Sequence, residues 1–143
     1  MNVTRSFAVA ATFAAAALGA AAPASAAPEM SGHYTETETA ANDRSTTDHW
    51  YFAPCGDGCA SVARKGAKAF GQAKLVGGQW TLDVTGETAI CQDGTEVPNA
   101  LSAHYTWDPS TLAGTVQTTA DAPECGDMAG YQVTDNIQLR QAS

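Results

Sequence analysis

Positive charge is scarce in this chain. Seven Lys and Arg stand against fifteen Asp and Glu in 143 residues, a net charge of −8 with histidine neutral. A nucleic-acid footprint needs a basic face, and none is present. Long apolar runs are equally scarce. One extends from Phe7 to Ala22, and no second run approaches the length of a membrane span. Helical periodicity is missing as well: after residue 26 no segment holds a convincing 3.6-residue apolar repeat, with residues 63–75 the nearest approach. Histidine occurs three times and cysteine four, too few in any one segment to write a metal-ligand signature, so no metal or cofactor is expected.

The one long apolar run reads as a leader. Arg5 precedes it, and Ala24-Ser25-Ala26 fits a small-x-small cleavage site. No Cys follows the run to accept a lipid. Residues 1–26 are therefore expected to be a cleaved signal peptide. The remaining 27–143 are expected to form one secreted domain, extracellular or in the cell envelope. Without Arg5, six basic residues face fifteen acidic ones, about nine net negative charges. That balance serves solubility and is also compatible with a cationic partner.

What remains is dominated by alternation. In Leu101-Ser-Ala-His-Tyr-Thr-Trp107 the apolar residues fall at every second position, and Asp108-Pro-Ser110 breaks the run with turn chemistry before Leu112, Gly114 and Val116 resume it. The same pattern predicts strands near 31–39, 46–53, 59–64, 67–75, 79–85 and 130–140, with this hairpin supplying strands six and seven. Eight short strands joined mainly by tight turns predict an all-β fold, an antiparallel up-and-down barrel closed so that no edge is left unpaired. A β-sandwich is the alternative.

A meander alternates its connections between two ends. Those after strands one, three, five and seven share what is called here the far end, and the others share the near end. Cys55 and Cys59 flank a near-end turn, while Cys91 and Cys125 lie in two far-end connections. Pairing Cys55 with Cys59 and Cys91 with Cys125 is the one arrangement that links no opposite ends. An exported protein meets the oxidising conditions such bonds need. The spacing Cys55-Gly-Asp-Gly-Cys59 is not that of a redox Cys-x-x-Cys pair at a helix start.

Three groups of residues are candidates for chemistry. Trp50, Trp80 and Trp107, with Phe52, Tyr105 and Tyr131, are predicted to face inward. They either fill an eight-stranded barrel or line a site for one small ligand. Small residues at Ala67, Ala69, Gly71, Ala73, Ala103 and Gly114 are placed to make room for them. Asp135 is the anomaly, because alternation points it inward between Val133 and Ile137, where an uncompensated charge is costly. The third group is acidic: Glu87, Asp93 and Glu96 in the connection between strands five and six, and Asp121, Glu124 and Asp127 in that between strands seven and eight. His33, His49 and His104 fall on strands, the latter two on polar faces, with no evident nucleophile beside them.

Gly32-His-Tyr34, Trp50 ahead of Pro54-Cys-Gly-Asp-Gly-Cys59, Gly78-Gln-Trp80, Cys91-Gln-Asp-Gly94, Tyr105-Thr-Trp-Asp108, Leu112-Ala-Gly114 and Cys125-Gly126 together resemble small secreted four-cysteine proteins of mycobacteria and related actinobacteria. That resemblance spans nearly the whole chain after the leader. It implies a secreted β domain and carries over no catalytic residue. A further resemblance, to lipocalin and avidin barrels, rests on strand count and a Gly-x-aromatic start, with Tyr34 where lipocalins carry Trp.

The expected function is a monomeric, non-enzymatic binding module taking a small apolar ligand or lipid into the barrel, through Trp50, Trp80, Trp107 and Asp135. The alternative is a protein-interaction module, a hydrolase inhibitor or an envelope-associated factor, whose six far-end carboxylates meet a cationic partner. A hydrolase using those carboxylates is third, since an acid pair needs a cleft that shifts one of the two pKa values.

Overall fold

The computed structural model describes residues 27–143, so the expected leader, 1–26, lies outside the described residues. Eight strands follow in order: β1 (Gly32–Thr39), β2 (Ser45–Gly56), β3 (Cys59–Ala63), β4 (Ala69–Val76), β5 (Gln79–Ile90), β6 (Glu96–Trp107), β7 (Ala113–Ala120) and β8 (Gln132–Gln141). Each pairs antiparallel with the next. Closure comes from β1 against β8, in register from Tyr34 opposite Gln141 to Thr39 opposite Asn136. The result is a closed eight-stranded barrel with Cys55–Cys59 and Cys91–Cys125 bonded as the end-to-end argument requires. Among the described residues no helix is long and apolar enough to cross a membrane.

Alternation explains why the barrel closes in this register. Tyr34, Trp50, Val62, Leu82, Trp107 and Leu139 all carry the inward phase, and each is buried. A one-residue slip would put all of them in water. The near half is filled by aromatic rings. Trp80 and Trp107 sit opposite each other across β5 and β6 and stack at 6.3 Å between centroids. Trp50 meets Trp107 edge-on at 6.5 Å, and Phe52 tilts against both. The three indoles are 2%, 1% and 0% exposed. Met30, just ahead of β1, is buried in the same cluster at the near end.

Two of the small positions make this packing possible. A side chain at Gly114 would overlap the Thr106 carbonyl and the Trp107 backbone, and one at Gly71 would collide with Leu82. Ala60 and Ala73 are fully buried beside them.

Three expectations need correction. Residues 86–100 were expected to form a long connection, yet β5 and β6 continue through them as a two-stranded ribbon to Ile90 and Glu96. The alternation there is broken by bulges at Thr85/Glu87 and Glu87/Ala89. Gly86 and Asn99, with φ of 75° and 54°, take the left-handed turn of the backbone. A bulge shifts the side-chain phase, which is why a strand reading stops short of it. Tyr131, predicted inside, is 53% exposed, because it precedes β8 and its carbonyl accepts from the Ala120 N–H at the barrel rim. Finally, β2 runs on to Gly56, since the short disulfide loop lets pairing with β3 persist across a bulge at Pro54/Gly56.

Candidate functional site

The far half of the interior is built differently from the near half. On β1 the inward phase that begins with Tyr34 continues to Glu36 and Glu38. Glu36 lies opposite Asp48 on β2 and Leu139 on β8. It is 4% exposed, and its Oε1 has no hydrogen-bond partner among the described residues. Burial, together with the neighbouring Glu38 and Asp48 carboxylates, raises the Glu36 pKa to about 7, with Arg64 pulling the other way.

Glu38 is half-buried one step nearer the rim, diagonal to Asp135 on β8. Burial first, then the proximity and charge of the Asp135 carboxyl, raises its pKa. Asp135 therefore does point inward, as alternation predicts. Its buried Oδ1 has no hydrogen-bond partner among the described residues.

Asp48 is the carboxylate of this half that holds a cation. Arg64, in the turn between β3 and β4, donates from Nε to Asp48 Oδ2 at 2.8 Å and lays its guanidinium over the Phe70 ring at 4.9 Å. Partial burial works against the Asp48 charge, but the Arg64 hydrogen bond, the His49 backbone N–H and the Arg64 charge hold its pKa below the usual range. The Trp50 indole N–H stands near enough to favour the same charge, although outside hydrogen-bonding geometry.

Aromatic rings lie next to these carboxylates along the inner face. Trp50 meets Tyr105 edge-on at 5.1 Å and Phe70 at 5.7 Å. Burial and the Glu36 and Glu38 charges raise the Tyr105 pKa further above its ordinary value, keeping the phenol neutral. Tyr105, Ala103, Thr118 and Asp135 are all half-buried, so solvent reaches into this half.

The expected ligand residues are therefore divided. Trp50 and Asp135 border the far half, while Trp80 and Trp107 lie deeper among the rings. Sequence reading missed Glu36, Glu38, Asp48 and Arg64. The signal was present in Tyr34-x-Glu36-x-Glu38, where two carboxylates keep the phase of a core residue.

The six far-end carboxylates divide as well. Asp93, Glu124 and Asp127 line an open cleft of about 750 Å³ between the ribbon tip and the β7–β8 connection, beside the Cys91–Cys125 bond. Ile90, in the same lining, is 72% exposed, and Met128, which follows Asp127 in the connection, is 79% exposed. Glu96 opens β6 outside that lining. Asp121 is tied to Ser102, whose hydroxyl donates to it at 2.9 Å. Glu87 is on β5, where its charge acts on Arg64 and Tyr105, placing it with the interior group and not with the loops.

The histidines lie on the outer surface. His33 and His49 are joined ring to ring at 2.9 Å, with His33 stacked on Tyr51, and His104 bonds Asp83 at 2.6 Å. Among the described residues no group of three or more His, Cys, Asp or Glu is arranged to hold a metal.

The strand count and connections are consistent with a lipocalin- or avidin-like barrel. No family model, curated protein or solved structure matches the chain.

Proposed function

We propose that this chain is a secreted, non-catalytic binding protein that takes a small ligand with an apolar body into the far half of its barrel. It would function after loss of its leader, as is expected of the small actinobacterial proteins it resembles. One observation carries this reading: the interior is divided, with tightly packed indoles in the near half and half-exposed inward side chains in the far half. A barrel meant only as a scaffold has no need of a carboxyl group that is 4% exposed with an unpartnered oxygen. A ligand entering from the far end meets Asp135 near the rim and Trp50 at the base, with Trp107 against the Trp50 ring and Trp80 stacked on Trp107.

Native mass spectrometry of the protein recovered from its own host, compared with its denatured mass, tests this. Excess mass released on denaturation is the expected result. An unliganded protein that also takes up no small amphiphile on titration would overturn the reading.

A specific observation favours a second reading, an interaction module acting through the cleft. Exposed Ile90 and Met128 beside Asp93, Glu124 and Asp127 suit a basic, partly apolar segment of a partner protein. Capture by that route would weaken with salt and be lost in E124Q/D127N, while changes at Glu36 would leave it intact.

A further inference from the structure

Resting on the interior-ligand reading, we propose that the ligand is an organic cation, an ammonium or guanidinium group on an apolar body, held against Glu36 over the Trp50, Phe70 and Tyr105 rings. The charge arrangement points to this class. Glu38 and Asp48 act on Glu36, Asp135 acts on Glu38 and Glu87 acts on Arg64, and among the described residues only Arg64 forms an ion pair in this group. Two buried polar groups here have no hydrogen-bond partner among the described residues and are opposite in character: the Glu36 carboxyl oxygen and the Trp50 indole N–H. A carboxylate left without a donor in an enclosed aromatic setting is completed by a cation that brings both charge and donors.

The rings supply the rest of the recognition. A cation within about 6 Å of an aromatic centroid is attracted by the ring quadrupole, more strongly where water is excluded. The protein already contains an example of this chemistry: the Arg64 guanidinium lies 4.9 Å from the Phe70 centroid and is bonded to Asp48. Arg64 thus occupies one cation position from within the chain and leaves Glu36, Glu38 and Asp135 for a second. Its own charge acts as a brake on the incoming one.

Protonation sets when the site is open. Glu36 faces Glu38 on its own strand, Asp48 from β2, Arg64 from the β3–β4 turn and Tyr105 from β6, with Leu139 directly across, while Asp135 from β8 acts on Glu38 and Glu87 from β5 acts on Arg64 and Tyr105. With Glu36 titrating near 7, a cation binds best above that value and displaces a proton below it.

The test compares octylammonium, octanol and octanoate by calorimetric titration between pH 5 and 8. Variants E36Q, R64Q and E124Q/D127N accompany the unmodified chain. The expected result is preference for the cation, affinity rising about tenfold or more from pH 5 to 8 as Glu36 ionises. E36Q weakens it by a similar factor and flattens the pH profile, and R64Q strengthens it severalfold. E36Q removes a buried charge, and near-ultraviolet dichroism of the indoles, expected to be unchanged in the variant, separates lost binding from lost structure.

Equal binding of octanol and the cation, or preference for octanoate, overturns the cation assignment and leaves the interior-ligand reading standing. Cation binding that ignores E36Q but disappears in E124Q/D127N moves the site to the cleft and overturns the assignment. Failure of all three probes overturns both.

Discussion

Glu36 bears a conflict between fold and charge. Its neighbours along the inward phase, Tyr34 on one side and Leu139 across, are core residues, so the strand register carries a carboxyl group into an enclosed position. The pKa in the folded chain, about 7 against an ordinary 4.5, fixes the sign of the effect. A folded state that binds the proton more tightly than the unfolded chain gains stability at low pH and loses it as pH rises from about 4.5 through 7. The full difference is about 3 kcal/mol. Glu38 shifts in the same direction. Asp48 shifts in the opposite one, but it is partly exposed and paired to an exposed Arg64, so its contribution is small. Denaturant unfolding of the unmodified chain and E36Q should therefore agree near pH 4 and diverge by about 3 kcal/mol at pH 8, with E36Q the more stable. Identical curves at pH 8 would show that Glu36 is solvated.

At the scale of elements, strand existence was legible and strand length was not. Trp80, Leu82 and Val84 alternate without interruption, so β5 could be recognised from its first residues. Its last five, from Gly86 on, follow a bulge that reverses which face each side chain takes, and no period survives there. The disulfides were legible for a topological reason, because a meander sorts its loops between two ends before any distance is known. The acidic interior was not legible for the reverse reason. Glu36 and Glu38 gain meaning only when Asp48, Arg64 and Asp135 arrive from other strands, and carboxylates on a half-polar strand read as solvent-facing.

The ribbon beyond the bulge also makes the two disulfides unequal. Cys55–Cys59 spans a turn whose strands already pair, whereas Cys91–Cys125 pins the ribbon tip to the β7–β8 connection across 34 residues. By loop-closure entropy the first contributes about 2 kcal/mol and the second about 4. Replacing Cys91 and Cys125 together with Ser should lower the unfolding free energy by about 4 kcal/mol while near-ultraviolet dichroism of the indoles persists, since all three lie away from that bond. A loss no larger than that of the Cys55/Cys59 double variant would argue that the ribbon holds its place without the bond.

Over the whole molecule, closure makes the chain a ring of neighbours with one break. Every strand pairs with the one before and the one after, and only β1 with β8 joins residues about a hundred positions apart. The break in the chain is small in space: the Ala142 N–H donates to the His33 carbonyl at 2.9 Å, so both ends of the barrel sequence meet at the near end. Joining them with a Gly/Ser linker of about six residues and opening the chain between Gly77 and Gly78 moves the long-range pairing from β1–β8 to β4–β5 and leaves every other pairing local. The opened turn loses little, since both glycines have positive φ and a side chain at either would meet open space. Relative contact order is nearly unchanged by the permutation, and folding rate follows contact order across small domains. The permuted chain should therefore form the same barrel, with both disulfides, at a rate within about tenfold of the original in stopped-flow refolding. A permutant that collapses without recovering buried-indole fluorescence would show that β1–β8 closure is a step the other pairings depend on, and that the ring is not equivalent around its circumference.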